Sequence, residues 1–558
     1  MGQRDVTDQA FNICWIVADD LGYGDLSCYG AVAFETPNID RLARDGVRFT
    51  HAHAASSVCT PSRFALLTGR YPWRSPLRAG VLGGLDPSIL VGVPTVAAFL
   101  KERGYRTVAV GKWHLGLDWT LTDGSRREIS DDQPLVPQLD GSGWDVDYAQ
   151  PYRNGPLDLG FDAFFGIAGS LDMPPYVFLE GNKACEVPSV PKAPLIASQR
   201  PGPAASDWVD ELVDPTFTER AVEQIERTVA AQRAGAGTPL FLYFATAAPH
   251  RPCVVPPRWR GASGVGPRAD AVCMLDSLVG EISAALAESP LPTLVVFMSD
   301  NGAPIEFLED GDPADHSANG DLRGQKADVY EGGHRVPLIV SVVGPDGSHL
   351  LEAVGGGPGA AATATVGLVD LFATTRALLG DAAGDDGRAF PAAGADRVVG
   401  SQSFDGSLVL IRGSQKAVFS SGSGGFSQPV GVPCAPDSTL GQFFDLGPDP
   451  RETANLWLAS SQIVHDMASD FTGATRFEWD ATLPRRRGPR TSAPDADAPE
   501  CGARARRFAR ISTAPAAASN GQNSGTSPHS TYVRAACQTA VDAGFSATEE
   551  ADEIGETV

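Results

Sequence analysis

Five apolar segments, rich in β-branched and aromatic residues, recur within the first 343 residues and constrain the fold more than any other feature. Their nearly continuous hydrophobicity predicts strands that are buried on both faces, as in a mainly parallel sheet. Segments with helical spacing separate them, and this alternation favours a doubly wound α/β fold with helices on both faces of the sheet. The predicted strands are residues 11–18, 105–110, 239–245, 293–298 and 335–343, and the predicted helices are 38–45, 62–68, 95–103, 215–233, 269–288 and 367–379.

The alternation ends near residue 380, and we divide the chain into three parts. Residues 1–379 are predicted to form one large α/β domain. Residues 380–482 contain short strand-like segments and a helix near 460–471, which is typical of a small α+β domain with antiparallel strands. Residues 483–558 begin with arginines, are rich in Ala, Ser and Gly, and end in acidic residues, a composition that predicts a disordered tail. The basic part of this tail either contacts an anionic polymer or is a solvated linker.

The overall composition excludes some classes of function. The chain carries 44 Lys and Arg against 68 Asp and Glu, a formal net charge of −24, which argues against a nucleic-acid partner. An anionic substrate is still possible, because salt screens surface charge over about 8 Å. No apolar run reaches the ~18 residues of a membrane span. Residues 1–10 lack the pattern of a secretory signal, which by itself indicates a cytoplasmic protein but leaves the compartment open.

Polar residues directly follow four of the predicted strands, at the sheet edge where doubly wound folds bind ligands. These residues are Asp19 and Asp20 after the first strand, Lys112 and His114 after the second, His250 after the third, and Asp300 and Asn301 after the fourth. Each pattern alone is also common in turns and helix caps. Because burying so many polar groups without a ligand would be costly, their convergence predicts a binding site. Carboxylate and amide oxygens suit a hard cation, Ca²⁺ better than Mg²⁺.

Residues 59–70, with the sequence CTPSRFALLTGR, place a cysteine two residues before a proline and four before an arginine. A lone cysteine is more often a small buried hydrophobic residue than a nucleophile. The whole segment, however, resembles the signature of the type I sulfatases, which belong to the alkaline phosphatase-like superfamily. In that family the cysteine is oxidised to Cα-formylglycine (3-oxoalanine). The resemblance implies this modification of Cys59, with Pro61 and Arg63 at positions that the modifying enzyme needs.

The stretch GYRTVAVGKWH, residues 104–114, resembles the second motif of the same family. A nucleotide-binding P-loop is not predicted, because the frame G-x-x-x-x-G-K-[ST] is missing. The resemblance implies that Lys112 holds the aldehyde hydrate and that His114 takes a proton from it.

Three downstream segments also resemble the family, so that the resemblance covers residues 11–457. It implies that His250 lies on the substrate side, that Lys326 contacts the sulfate and the leaving oxygen, and that Ser170 faces the sulfate. The implied catalytic residues are Cys59, Arg63, Lys112, His114, His250 and Lys326, and the implied substrate-binding residues are Ser170, Lys112, His250 and Lys326. The implied metal is Ca²⁺, with Mg²⁺ as an alternative, bound by Asp19, Asp20, Cys59, Asp300 and Asn301.

The resemblance implies an arylsulfatase A-like enzyme that releases sulfate from a carbohydrate or aryl sulfate ester, with residues 1–379 as its catalytic domain. The expected partners are a sulfated small molecule or glycan as substrate and a formylglycine-generating enzyme during maturation. The family is usually lysosomal, secreted or periplasmic, which conflicts with the missing secretory signal. Two alternatives stay open. One is a phosphonate monoester or phosphodiester hydrolase that uses the same aldehyde, and the other is a metal- or sulfated-glycan-binding module in which Cys59 is never oxidised.

Overall fold

The computed structural model describes residues 10–129, 142–235, 237–305, 316–381, 386–391 and 397–475. The predicted tail, 483–558, lies outside these residues. The strands are β1 Asn12–Ala18, β2 Val47–Phe49, β3 Ala52–His53, β4 Arg106–Lys112, β5 Ala163–Ile167, β6 Leu179–Glu180, β7 Lys183–Ala184, β8 Val190–Pro191, β9 Pro203–Ala204, β10 Leu240–Ala245, β11 Thr293–Ser299, β12 Leu338–Val343, β13 Ala360–Ala362, β14 Val366–Gly367, β15 Val399–Gln402, β16 Leu408–Arg412, β17 Gln415–Val418 and β18 Gln442–Asp445. The α-helices are α1 Pro37–Asp45, α2 Cys59–Thr68, α3 Val96–Glu102, α4 Val213–Arg233, α5 Pro267–Ala287, α6 Glu331–His334, α7 Ser348–Ala353, α8 Asp370–Leu378 and α9 Ser461–Thr475.

A ten-stranded sheet lies at the centre of the fold, in the order β13-β2-β12-β11-β1-β10-β4-β5-β6-β7. The strands from β11 to β5 in this order all pair in parallel. Strand β12 is antiparallel to both of its neighbours, and β6 is antiparallel to β5. The predicted fold class, a mainly parallel sheet between helices, is therefore confirmed. All five predicted strands are present, four of them in the parallel centre.

The two faces of the sheet are covered by two separate hydrophobic cores. Alternate residues of β1 belong to different cores, since successive side chains of a strand point to opposite faces. Helices α2, α3 and α8 contribute to the first core, and α1, α4 and α5 contribute to the second. This double burial explains why the central strands have almost no polar residue.

A four-stranded antiparallel sheet, in the order β15-β16-β17-β18, forms the C-terminal part of the described chain. Helix α9 packs on it through Val464, Met467 and Phe471. A small antiparallel domain after the α/β domain was predicted and is confirmed, whereas the boundary at residues 379 and 380 stays a prediction. Within the described ranges, no helix combines the length and hydrophobicity that crossing a bilayer requires.

Candidate active site

The carboxyl ends of the central parallel strands bring the predicted polar residues together. The backbone N–H of Asp300, directly after β11, donates to the carbonyl of Ala18 at 3.1 Å, so that β1 and β11 end side by side. The N–H of Asp20 donates to Oδ1 of Asp300 at 3.2 Å. Asp20 adopts a left-handed conformation with φ of 63°, which aspartate tolerates better than most residues. The chain therefore turns sharply at the site and presents two adjacent carboxylates to it.

Cys59 begins helix α2, three residues earlier than the sequence predicted, and every residue of this helix is buried. Pro61 fits in the first turn because the N–H groups there have no partner within the helix. The Cys59 Sγ lies 3.5 Å from Oδ1 of Asp19 and 3.9 Å from Oδ1 of Asp20. Burial raises the pKa of the thiol, and the nearby Lys112 does not compensate for it. The encoded side chain is therefore a neutral thiol, which is a poor nucleophile.

Two buried cations hold the carboxylates of Asp19 and Asp300. The Arg63 guanidinium lies 2.9 Å (Nε) and 2.8 Å (Nη2) from Oδ2 of Asp300 and 3.4 Å (Nη2) from Oδ1 of Asp19. The Lys112 ammonium lies 2.6 Å from Oδ2 of Asp19. Burial alone would raise the pKa of Asp19, but Lys112 and the neighbouring cations hold it well below its usual value. Burial raises the pKa of Asp300 to about 6 in spite of Arg63.

A third buried cation, Lys326, holds the carboxylate of Asp20. The Lys326 Nζ lies 2.6 Å from Oδ1 and 2.7 Å from Oδ2 of Asp20. The amide N–H of Ala327 donates to the carbonyl of Ser57 at 2.7 Å, which fixes the Lys326 loop next to the segment that leads into α2. The Asn301 Nδ2 donates to Oδ1 of Asp20 at 2.7 Å, whereas the Asn301 Oδ1 is buried and accepts no hydrogen bond from the described part of the chain. This amide oxygen is available to a cation.

Two histidines face this cluster in the neutral form. The Nε2 of His114 lies 2.7 Å from the carbonyl of Leu82, so Nε2 carries the proton, and the buried Nδ1 has no partner in the described ranges. Burial and Lys112 hold the pKa of His114 well below its usual value. The His250 Nδ1 lies 2.7 Å from the carbonyl of Arg251, and its Nε2 lies 3.6 Å from Oδ2 of Asp20. Burial, followed by Lys326, lowers the pKa of His250.

The loop after β5 carries the last predicted site residue, Ser170. Its hydroxyl is buried, and none of the described residues forms a hydrogen bond with it. The backbone N–H groups of Trp113 and His114 donate to the carbonyls of Ile167 and Ala168, both at 3.0 Å, so this loop starts beside the second motif. The same loop holds Asp172, a buried carboxylate that sequence reasoning missed. The only available signal was an acidic residue in an otherwise apolar stretch, LDMPPY.

Two groups of side chains in the described residues could hold a metal ion. Asp19, Asp20, Cys59 and His250 form the first, with ligand atoms within 4.8 Å of one another. The second consists of His53, Glu331 and His334. The first group has two carboxylates and lies beside the Oδ1 of Asn301, to which no described residue donates a hydrogen bond, whereas Glu331, the single carboxylate of the second group, is shared with Lys416 and Arg335 at 3.0 and 3.4 Å. A cation therefore fits the first group better.

The chain is similar to one family of known proteins along most of its length. A family model described as Sulfatase matches residues 12–381. N-acetylgalactosamine-6-O-sulfatase of Bacteroides thetaiotaomicron is 30% identical over 498 residues, which cover 82% of this chain and 91% of that protein. Human arylsulfatase A is 34% identical over 344 residues, and the match covers 59% of this chain and 58% of that protein.

Solved structures show the same similarity. One structure, from work on the metabolism of glycosaminoglycans by Bacteroides thetaiotaomicron, has a TM-score of 0.67 and 28% identity. The match covers 84% of this chain and 100% of that one. A sulfatase from Pseudoalteromonas sp. has a TM-score of 0.59 and 21% identity, with coverage of 84% and 91%, and this likeness shows the fold alone. The fold is the alkaline phosphatase-like fold that the sequence predicted.

Proposed function

We propose that this chain, which belongs to the sulfatase family of sulfuric ester hydrolases, releases sulfate from a carbohydrate or aryl sulfate by means of a formylglycine made from Cys59 and a divalent cation. The observation that carries the proposal is the position of Cys59. This residue opens a buried helix next to two carboxylates, Asp19 and Asp20, which Lys112 and Lys326 contact. A buried neutral thiol has no evident task in this setting, whereas an oxygen nucleophile does.

The residues present fit a divalent cation. The donor set contains only oxygen ligands, including the unpartnered Oδ1 of Asn301, and such sets suit hard cations such as Ca²⁺. The ligands would be Asp19, Asp20, Asp300, Asn301 and the oxygen at position 59. Bound there, the cation would supply a Lewis acid that withdraws charge from the oxygen at position 59 and from the sulfuryl oxygens.

The charges of the side chains support the same proposal. Three carboxylates, Asp19, Asp20 and Asp300, face three positively charged side chains, Arg63, Lys112 and Lys326. The two histidines are neutral, so these side chains carry no net charge before a metal ion binds. A divalent cation would leave two positive charges. These match one sulfate monoester anion and one ionised oxygen at position 59, so electrostatic attraction would favour the loaded site.

The residues around position 59 act on the nucleophile, on one side of the sulfur, and on the leaving alcohol, on the other side. Hydrated formylglycine supplies a geminal diol, of which one oxygen attacks sulfur while the other, once deprotonated, expels sulfate and restores the aldehyde. The His114 Nδ1 is the proton acceptor for that second hydroxyl, since Leu82 holds Nε2–H and leaves Nδ1 free. Lys112 and the N-terminus of α2 favour negative charge at position 59.

On the far side of the sulfur, His250 and Lys326 are the donors for the departing alcohol oxygen. Lys326 carries its proton at neutral pH because Asp20 and the neighbouring acidic groups together more than offset burial and raise the pKa of the ammonium group. His250, whose pKa is lowered, would first have to gain a proton when the substrate anion arrives. Either group stabilises the alkoxide that leaves, by proton transfer or by a charged hydrogen bond.

The experiment compares ester classes on protein produced together with a formylglycine-generating enzyme. We expect turnover of 4-nitrophenyl sulfate and of sugar sulfates such as N-acetylgalactosamine 6-sulfate, loss of both activities after chelation, and recovery with Ca²⁺. Cys59→Ala, which keeps a small buried side chain, is the inactive control. A strong preference for 4-nitrophenyl phosphodiesters over the sulfate would contradict the proposal and favour a phosphodiesterase. Binding of sulfated sugars without any turnover would favour a binding module.

A further inference from the structure

The loop that follows β5 lies against two elements of the active site. It starts beside the second motif, where His114 N–H donates to the carbonyl of Ala168. It then packs on the segment that holds His114 in place. A Cβ on Gly84 would lie 2.3 Å from the carbonyl oxygen of Pro174, and a Cβ on Gly169 would meet Gly84 in turn. The side chains of this loop are therefore fixed relative to the reacting centre.

Asp172, in this loop, is a buried carboxylate that the proposed chemistry does not use. Its side chain is only 3% exposed. Its Oδ2 lies 3.4 Å from Nε of Arg251 and 3.8 Å from Nη1 of Arg200, whereas its Oδ1 is buried and has no hydrogen-bond partner among the residues that the structure describes. An acceptor that is left buried and unpaired reduces stability by about 1–3 kcal/mol. A ligand group that donates a hydrogen bond to Oδ1 would remove this cost.

Asp172 is close to the groups that face the leaving oxygen. Burial alone would raise its pKa, but His250 and then Arg200, Arg251 and Lys326 hold the pKa below its usual value. The carboxylate is therefore ionised and can only accept hydrogen bonds. The hydroxyl of Ser170, two residues earlier, is also buried without a partner among the described residues, and it is expected to face the sulfate. Because the sulfate would also meet the cations, the unpaired Oδ1 of Asp172 is available to the alcohol part of a substrate.

We infer that Asp172 is a specificity-determining residue that accepts, through Oδ1, a hydrogen bond from a free hydroxyl on the sugar that carries the sulfate. Arg251 and Arg200 hold the carboxylate in position through its other oxygen. This inference rests on the proposed sulfatase function and narrows the substrate class to carbohydrate sulfates with an unsulfated hydroxyl near the ester. An aryl sulfate leaves Asp172 unpaired, and a second sulfate at that hydroxyl is repelled by the carboxylate.

The test measures kcat/KM of the wild type and two variants, Asp172→Ala and Asp172→Asn. The substrates are 4-nitrophenyl sulfate and a panel of monosulfated galactose, glucose and N-acetylgalactosamine. The readout is the ratio of kcat/KM for the best sugar sulfate to that for the aryl sulfate, because this ratio does not depend on the fraction of protein that carries formylglycine. We expect Asp172→Ala to lower the ratio by about 100-fold, the size of effect expected when a hydrogen bond to a charged group is lost. Asp172→Asn keeps the shape of the side chain and one oxygen, so its ratio should lie between those of the wild type and Asp172→Ala.

Asp210→Asn is the matched control. Asp210 is also buried and pairs with a lysine, Lys192, at 2.9 Å, and it accepts a hydrogen bond from Gln199. Its substitution should leave the ratio unchanged. An equal loss on both substrate types in the Asp172 variants, or a wild type that prefers the aryl sulfate over every sugar, would overturn the inference while the sulfatase function stands. A wild type that hydrolyses no sulfate at all would overturn both.

Discussion

Replacing Lys416 by methionine should destabilise the fold strongly, because this lysine lies between two buried carboxylates. Its Nζ lies 3.0 Å from Oε1 of Glu331, on α6, and 2.8 Å from Oε1 of Glu452. The three side chains are at most 1% exposed. Methionine keeps the length and much of the volume of lysine, so the variant removes the charge without opening a large cavity. Breaking a buried pair by removing one partner typically costs 3–5 kcal/mol, and we expect a loss of about that size at pH 8.

The loss should depend on pH in a defined direction. In the wild type, burial alone would raise the pKa of Glu331, but Lys416 and the cationic neighbours together hold it well below its usual value, whereas burial and the charge of Glu331 raise the pKa of Glu452 to about 7. Without the lysine, the folded-state pKa of Glu331 should rise above the unfolded value, and that of Glu452, already above it, should rise further. A carboxyl group whose pKa is higher in the folded than in the unfolded state lowers stability as pH rises. The variant should therefore lose more unfolding free energy, relative to the wild type, at pH 8 than at pH 5.

Urea unfolding followed by tryptophan fluorescence at the two pH values measures both effects. Arg451→Met is the control, since Arg451 pairs with Asp321 at 2.7 Å on the surface, where ion pairs contribute little. A loss for Lys416→Met below about 1 kcal/mol at pH 8, or an equal loss at both pH values, would refute this reasoning.

Three further outcomes are expected. Burial raises the pKa of Asp214 to about 7, although its Oδ1 accepts the N–H of Ala247 at 2.8 Å, so the wild type loses stability from pH 4 to pH 7. Asp214→Asn should remove this loss, which is on the order of 4 kcal/mol. Urea unfolding measures the difference in unfolding free energy between variant and wild type, and this difference should grow from pH 4 to pH 7 and then level off. His114→Ala should release 4-nitrophenol in a burst equal to the active enzyme, followed by a slow phase in stopped-flow traces; a lag or a uniformly slow trace would argue against its role as the late proton acceptor. Asp300→Ala should abolish turnover and weaken Ca²⁺ binding in calorimetry, and unchanged Ca²⁺ affinity would remove Asp300 from the ligand set.

The parallel centre of the sheet could be predicted because burial on both faces leaves a local signature, a run of apolar residues. Strand β5 was missed because its five residues, AFFGI, are too short to distinguish from a buried loop by periodicity. The antiparallel direction of β12 could not be predicted either. Strand direction depends on pairing with distant segments, and the hydrophobic pattern of β12 is the same for both directions.

The part of the candidate site that follows the buried strands could also be predicted from the sequence. Polar residues directly after buried strands are visible in the sequence, and the geometry of the fold then gathers them at one edge. Asp172 and Lys416 carry no such signal. One of the two partners of Lys416, Glu331, is 85 residues away, and Oδ1 of Asp172 is notable only because no described residue donates a hydrogen bond to it in the folded chain.

Mass spectrometry of the peptide that contains Cys59, on enzyme that turns over 4-nitrophenyl sulfate, tests the central claim most directly. The account predicts that the cysteine sulfur is replaced by an aldehyde oxygen, and that the modified fraction equals the fraction of active enzyme found by active-site titration. Active enzyme in which every Cys59 keeps its sulfur would contradict the account.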